Sequence, residues 1–261
     1  MPITISSIYR YPVKGLSPER LPWTTLLPGR CLPDDRRFAV ALASTRFDPA
    51  QPEWLPKRCF AMLMRDEKLA RLETRFDAAN GELTIAENGE VALRARITEP
   101  AGGRAVGDFL GDFVDGTVER PLRVVEAPGH AFADSRRKPD ATTGQYVSLI
   151  NLRSIAALEE AMAAPIDPLR FRANIYFDGV PAWDELGWLG ATVAAGAARL
   201  RVIATITRCA ATEVNPATAE RDLGIVAALQ RSFGHNLMGI YAEVAAGGDI
   251  ASGDQLQLHR E

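Results

Sequence analysis

The sequence is poor in the residues that most often announce a metal site or a disulfide framework. Among its 261 residues there are 3 cysteines and 3 histidines. Cys31, Cys59 and Cys209 are odd in number and widely spaced, with no Cys-x-x-Cys pair. That pattern excludes a disulfide scaffold and a zinc site built mainly on thiolates, and four-cysteine ligation of an iron–sulfur cluster is impossible within one chain. His130, His235 and His259 follow no ligand spacing and read as surface or hydrogen-bonding residues. An excess of one charge is also missing: 30 Lys+Arg stand against 33 Asp+Glu, a formal net charge of −3, which argues against a general nucleic-acid binder. The longest uncharged stretch, Leu186 to Ala198, is about 13 residues, short of the roughly 18 that a membrane span needs. The opening MPITISSIYRYPVKG alternates instead of setting a basic region before an apolar run, so the reading is no signal peptide and a cytoplasmic setting. No GxSxG elbow, P-loop, HExxH or GxGxxG occurs, which leaves the common hydrolase, NTPase, zincin and Rossmann readings without support.

What is present is ordinary globular material, 47% hydrophobic and 24% charged, long enough for one or two domains. Short strand signals dominate the first half. Ile3 and Ile5 alternate with polar neighbours, Phe38 to Leu42 is a compact apolar run, and Leu69 to Phe76 leads to a hairpin at Asn80-Gly81 with Leu83 to Ile85 as its return. A second turn, Asn88-Gly89, opens the alternating run Val91 to Ile97. Residues 1–125 therefore read as a small, mostly antiparallel β module. The stretch Ala127 to Tyr146, rich in Pro, Gly and charge, reads as a linker or active-site loop. Beyond it, residues 126–261 hold strands at Val147–Ile150, Arg172–Asp178, Leu200–Cys209, Met238–Ala245 and Gln255–Leu258. A helix carries Ile155, Leu158 and Met162 with Asn151 or Ser154 as its cap, and another spans Asp222–Phe233 before Gly234. The class is mainly β (α+β), in two modules.

Cys209 stands apart from the other cysteines. In Leu200–Cys209 the apolar face carries Leu200, Val202, Ala204 and Ile206, and Cys209 falls on the other face with Thr205 and Thr207, where the strand ends. A thiol beside Arg208 at a strand end suits metal binding or attack on sulfur, although a small buried hydrophobe has the same local pattern. Cys31 and Cys59 lack this setting and read as structural. Lys14, Arg36 and Arg172 each adjoin a strand; converging on one cleft they would suit a phosphate-like anion, and singly they read as solvated charges.

Several motifs in order resemble those of the MOSC (molybdenum cofactor sulfurase C-terminal) family with its N-terminal β-barrel domain. They are Tyr11-Pro-Val-Lys-Gly15, Asp35-Arg36-Arg-Phe-Ala-Val40, Val147–Ile155, Arg170-Phe-Arg-Ala-Asn-Ile175, Trp183–Leu186, Arg208-Cys209 with Thr212 and Asn215-Pro216, and Gly253-Asp254. The resemblance implies an N-terminal barrel-like domain over 1–125, a MOSC barrel with a few helices over 126–261, and a site for the molybdenum cofactor. It implies that Cys209 gives a thiolate to molybdenum, that Lys14, Arg36 and Arg172 grip the phosphate and pterin, and that Asn174, Asn151, Ser154, Arg208, Thr212 and Asn215 are further cofactor contacts. For Asn151 and Ser154 helix capping is an equal explanation, and for Asn215 a turn before Pro216. The implied activity is that of the amidoxime-reducing relatives, reduction of small N-hydroxylated compounds or N- and S-oxides with an external electron-transfer protein as partner. The alternatives are a persulfide carrier on Cys209 served by a cysteine desulfurase, or a non-enzymatic cofactor-binding protein. Two departures stand out: Gly15 replaces the Ser of those relatives, and Arg46–Lys57 does not follow their motif, with Lys57 a substitute cation there.

Overall fold

The computed structural model describes residues 2–114, 116, 118–134 and 145–260. Its first half contains β1 (Ile3–Arg10), β2 (Glu19–Leu21), β3 (Trp23–Leu26), β4 (Phe38–Ala41), β5 (Leu72–Asp77), β6 (Glu82–Glu87), β7 (Glu90–Arg96), the helix α1 (Pro100–Val114) and β8 (Arg123–Glu126). The second half follows with β9 (Val147–Asn151), α2 (Leu152–Met162), β10 (Ile175–Asp178), β11 (Thr192–Ala195) and β12 (Ala198–Thr207). It ends with α3 (Ile225–Phe233), β13 (Leu237–Ala246), β14 (Gly248–Ala251) and β15 (Gln255–His259). No helix among the described residues is long and apolar enough to cross a membrane. Of the expected loop Ala127–Tyr146, residues 135–144 lie outside the described residues.

Seven strands close a barrel in the order β10, β9, β13, β12, β11, β15, β1, and β1 returns to pair with β10. Only β9 and β10 run parallel, and α2 makes their crossover. The closing strand comes from the far end of the chain: β1 pairs antiparallel with both β10 and β15, and β3 pairs with β14. Strands of the first expected module thus complete the sheet of the second. Ile5 and Ile8 are both buried although three residues apart, because a register shift between Ile5 and Ser7 inserts one residue and turns both inward. They meet Leu149, Phe177, Leu200, Val202 and Ile240 in the barrel core, where Trp188 stacks on Phe177 with ring centroids 5.4 Å apart. Helices α2 and α3 pack outside the barrel around Ile155, Leu158, Ile225 and Leu229.

In the first half, β5, β6 and β7 form a meander whose β6–β7 turn is Asn88-Gly89, with φ of 52° and 79°, the positive values a two-residue hairpin demands. The expected strand from Leu69 begins only at Leu72, since Glu67–Arg71 is a 3-10 helix; likewise β10 starts at Ile175 and α3 at Ile225. The helix α1 was not expected. Its four glycines (102, 103, 107 and 111) depress intrinsic helicity, but Val106, Leu110 and Val114 form the buried stripe and Pro100 opens the first turn. Two of these glycines buy proximity: a Cβ on Gly102 would lie 2.0 Å from the Arg96 carbonyl oxygen, and one on Gly107 would lie 2.4 Å from that of Leu122.

This geometry separates two effects at neighbouring positions. At Gly103 a Cβ meets nothing closer than 3.6 Å, so Gly103→Ala should stabilise by up to about 1 kcal/mol through helix propensity. Gly107→Ala makes the same gain but forces backbone apart, and overpacking of about 1–3 kcal/mol outweighs it. Urea unfolding midpoints should therefore rise for the first variant and fall for the second.

Candidate anion-binding cleft

A cleft of about 910 Å³ opens between the barrel and the N-terminal half. Its barrel wall comes from β9, the segment before β10, the end of β12 and Tyr241 of β13; the facing wall comes from Lys14–Gly15, Asp35–Arg36, residues 54–64 and Phe132–Asp134. The chain leaving β1 is held against β4 by Phe38 N donating to Pro12 O (3.0 Å) and Lys14 N donating to Phe38 O (2.8 Å). Among the described residues the lining holds seven basic side chains (Lys14, Arg36, Lys57, Arg58, Arg170, Arg172, Arg208) against two acidic ones, Asp35 and Asp134. In a chain of net charge −3 that concentration makes the cleft locally positive, a field that favours an anion.

The cations are not equivalent. Arg170 is consumed internally, its Nη2 donating to both oxygens of Asp222 at 2.6 and 2.8 Å and its Nη1 to Glu213 O. Arg208 donates Nε to Met238 O (2.9 Å) and Nη1 to Phe171 O (2.9 Å), tying the end of β12 to β13 and to the segment before β10. Arg36, in the left-handed region at φ 50°, donates Nη1 to Asp35 Oδ2 (2.5 Å) and Nη2 to Arg172 O (2.8 Å). Burial works against its charge, and Asp35 outweighs burial, so its pKa is raised. Lys14 is buried, donates to Phe132 O at 3.0 Å and contacts the half-exposed Asp134; burial lowers its pKa and Asp134 opposes. Arg172, also left-handed at φ 52°, makes no hydrogen bond or ion pair with its guanidinium among the described residues. It lies over the Tyr11 ring at 4.4 Å, with Arg36 over the same ring at 4.6 Å. Burial pushes the Arg172 pKa down, Tyr11 resists, and Arg36 adds to the depression. Tyr11 is itself pushed up to about 12, by burial against the pull of the two guanidiniums, and stays a neutral platform.

Cys209 lines the same cleft, and its thiol makes no hydrogen bond among the described residues. The expected face of β12 is interrupted on the way there. Val202 pairs with Ala242 but Ala204 with Tyr241, so Ile203 is an extra residue; Leu200 and Val202 stay in the barrel core, whereas Ala204, Thr205, Ile206 and Thr207 all line the cleft. The turn after Cys209 is fixed by Thr212, whose N and Oγ1 both donate to Cys209 O at 3.0 Å. Cys31 lies outside the lining, and its pKa is pushed up to about 12 by burial and Asp35.

Asn174 lines the cleft, but Oδ1 accepts from Ser148 N and Oγ (3.1 and 2.8 Å) and Nδ2 donates to Tyr9 O (3.2 Å), a latch between β1 and β9. Three expected contacts fall outside the lining. Asn151 caps α2 through Arg153 N (3.0 Å) and donates to Pro181 O and Glu185. Ser154 donates to both oxygens of Glu185 (2.8 and 3.0 Å) and accepts from Trp183 N. Asn215 donates to Asp222 at 2.7 Å and caps the next turn through Ala217 N. Their polar atoms serve the fold. Asp134, Tyr241 and the Met62–Met64 turn line the cleft without a local signal in the sequence, and Tyr11, inside a quoted motif, is buried behind Arg36 and Arg172.

The class the fold defines is a closed β-barrel with a free thiol and a cluster of basic side chains lining one cleft. Residues 130–257 match the model of the MOSC domain, and this part of the chain belongs to that family, some members of which bind the molybdenum cofactor. Two solved structures are similar to the chain. The YuaD protein from Bacillus subtilis is 13% identical, with 100% of this chain and 97% of that one covered and a TM-score of 0.46. YiiM from Geobacillus stearothermophilus is 23% identical, with 44% of this chain and 54% of that one covered and a TM-score of 0.35. A search of curated proteins finds no match.

The Asn151–Ser154–Glu185 cluster makes a pH prediction. Glu185 is fully buried with no ion-pair partner among the described residues, and burial raises its pKa above 4.5, against the hydrogen bonds from Ser154 and Asn151. The folded state thus keeps this proton to higher pH than the unfolded chain. Its contribution is fully present below the unfolded value and is lost as pH rises through the folded one. Glu185→Gln cannot titrate, so its stability relative to the parent should increase from pH 4 to pH 7 in denaturant titrations. A difference that is flat or falls with pH would refute the assignment.

Proposed function

We propose that the cleft is a molybdenum-cofactor site, and that the protein uses it to reduce small N-hydroxylated compounds, or related N- and S-oxides, with electrons from an external redox protein. One observation carries the reading: a guanidinium with no hydrogen-bonding partner among the described residues and a free thiol line the same cleft. The cofactor carries an anionic phosphate and a dithiolene-held metal, and would need both kinds of group. The volume suits it, falling within the roughly 300–1,000 Å³ of ordinary ligand sites.

Arg172 would hold the phosphate with donors that the fold leaves unspent, beside Arg36 and Lys14. Cys209 would give its thiolate to the metal, a soft ligand matched to a sulfur-rich centre. When bound, the cofactor supplies the two-electron oxygen-transfer chemistry. The net conversion takes an N–OH compound, two electrons and two protons to the N–H compound and water. The remaining residues prepare the site. Arg208 fixes the strand end that presents Cys209, Thr212 holds the following turn, and Asn174 locks the wall beneath it.

Protein made in a host that synthesises the cofactor should contain stoichiometric molybdenum by elemental analysis. Cys209→Ala should keep the pterin and lower turnover of an N-hydroxylated compound by roughly 100-fold or more. Arg172→Met should lose most of the molybdenum while its unfolding midpoint holds or rises, because an unpaired cation has been removed from the wall. Molybdenum-free protein whose Cys209 carries one extra sulfur atom by mass spectrometry would overturn the reading in favour of persulfide transfer from a desulfurase. Tight pterin binding without turnover would make the chain a cofactor-binding protein.

A further inference from the structure

A separate set of contacts governs the Cys209 side of the cleft. After the turn at Ala210–Glu213 the chain forms a short arm whose base is bridged by Val214 and Arg221. Arg170 and Asn215 brace the arm through Asp222, and Arg170 also holds Glu213 O. From this braced position Arg221 reaches both walls at once. Its Nη1 donates to Ala210 O at 3.1 Å, one residue beyond Cys209. Its Nη2 donates to Leu63 O (3.2 Å), Met64 O (2.9 Å) and Glu67 Oε2 (3.2 Å) across the gap.

The turn gripped in this way shows a specific chemistry to the cleft. Met62 O accepts from Arg65 N and Asp66 N at 3.0 and 2.9 Å, and the carbonyls of Leu63 and Met64 are taken by Arg221. With its carbonyls spent, the turn offers two thioethers and a leucine side chain to the cleft. Thioether side chains adapt to irregular apolar shapes and favour contact with aromatic rings. The opposite stretch after Cys209 adds Ala211 and the methyl-bearing Thr212, whose hydroxyl is already donated.

We propose that Arg221 is a positioning residue that sets the width of the cleft beside Cys209, and that the Met62–Met64 turn it holds selects substrates with an apolar, preferably aromatic, group next to the bond to be reduced. The substrate part rests on the molybdenum-cofactor reading; the width rests on the contacts alone. Lysine cannot replace the arginine here, because a single ammonium lacks the planar fork that serves carbonyls on two walls.

The width is tested on the cofactor-free chain by the rate at which Cys209 is alkylated, with peptide mapping to separate it from Cys31 and Cys59. Arg221→Met should raise the rate with a bulky neutral maleimide about tenfold, the effect of losing charged hydrogen bonds across the gap, and should change the rate with iodoacetamide far less. Equal changes for both reagents, or none, overturn the proposal. Selection is tested on molybdenum-loaded protein with Met64→Thr, which leaves the backbone contacts to Arg221 in place. The KM for an aromatic N-hydroxylated compound should rise several-fold relative to that for a small hydrophilic one, with kcat for the aromatic compound little affected. An unmoved KM ratio sinks the selecting role. A chain that takes up no molybdenum defeats the cofactor reading and leaves the alkylation rates to judge Arg221.

Discussion

The pairing of β1 with β10 and β15 is the constraint on which the cleft depends. Without it the barrel would present two open edges, and the segment Tyr11–Gly15 would have no fixed place. The join is reinforced where the strand leaves the sheet. Tyr9 N donates to Asn174 O (2.7 Å), Asn174 Nδ2 donates to Tyr9 O (3.2 Å), Tyr11 N donates to Asp35 Oδ1 (2.8 Å), and Arg36 N donates to Tyr11 O (2.7 Å). Four hydrogen bonds within three residues place the Tyr11 ring under Arg172, a residue from the other half of the chain. Barrel closure and ligand cleft are therefore one construction, and a register error in β1 would disable both.

Several guanidinium and ammonium groups share this small volume, and the fold neutralises them unevenly. Arg170 has a bidentate carboxylate, Arg208 has backbone carbonyls, Arg36 has Asp35, and Lys14 has Asp134. Among the described residues, Arg172 is left with an aromatic face alone. A cation–π contact contributes about 0.5–2 kcal/mol, less than the several kcal/mol that a charge loses when it is withdrawn from water. The arrangement is electrostatically unfinished, and an anion bringing oxygen acceptors to Arg172 would relieve it. That is the physical content of preorganisation: the protein bears the unfavourable charge in advance, so a ligand need not reorganise it on entry.

The legible parts of this molecule are those whose cause is local. Asn88-Gly89 fixes its hairpin through backbone sterics, Gly234 stops α3 at φ 75°, and the Arg-Cys pair falls just past the end of β12. The cations at 14, 36 and 172 could be named individually, but their meeting is a product of barrel closure, which joins residues more than a hundred positions apart. Other features are hidden because a local rule is broken for a tertiary reason. The glycines of α1 obscure a helix whose backbone must approach β7 and Leu122, and the extra residue at Ile203 interrupts the alternation that the sequence shows through Ile206. Asn151, Ser154 and Asn215 show the opposite error. Their side chains are polar and well placed in sequence, yet each is spent on a cap or on a buried carboxylate.

The two departures from the resembling family have a common structural sense. Gly15 sits at φ 85°, and a Cβ there would lie 3.1 Å from the Ala61 carbonyl oxygen, so a serine at this point would be strained by its own backbone and crowded by the 60–62 segment. The segment that crowds it follows the divergent Arg46–Lys57 stretch, which delivers Lys57 to the lining with no ion pair among the described residues. A hydroxyl is absent from this wall of the cleft while the same wall gains an ammonium. Because a full charge binds an anion more strongly than a neutral donor does, the exchange keeps the cleft suited to an anionic ligand even though the local motif has changed. What is retained is a positively charged wall, carried by different residues.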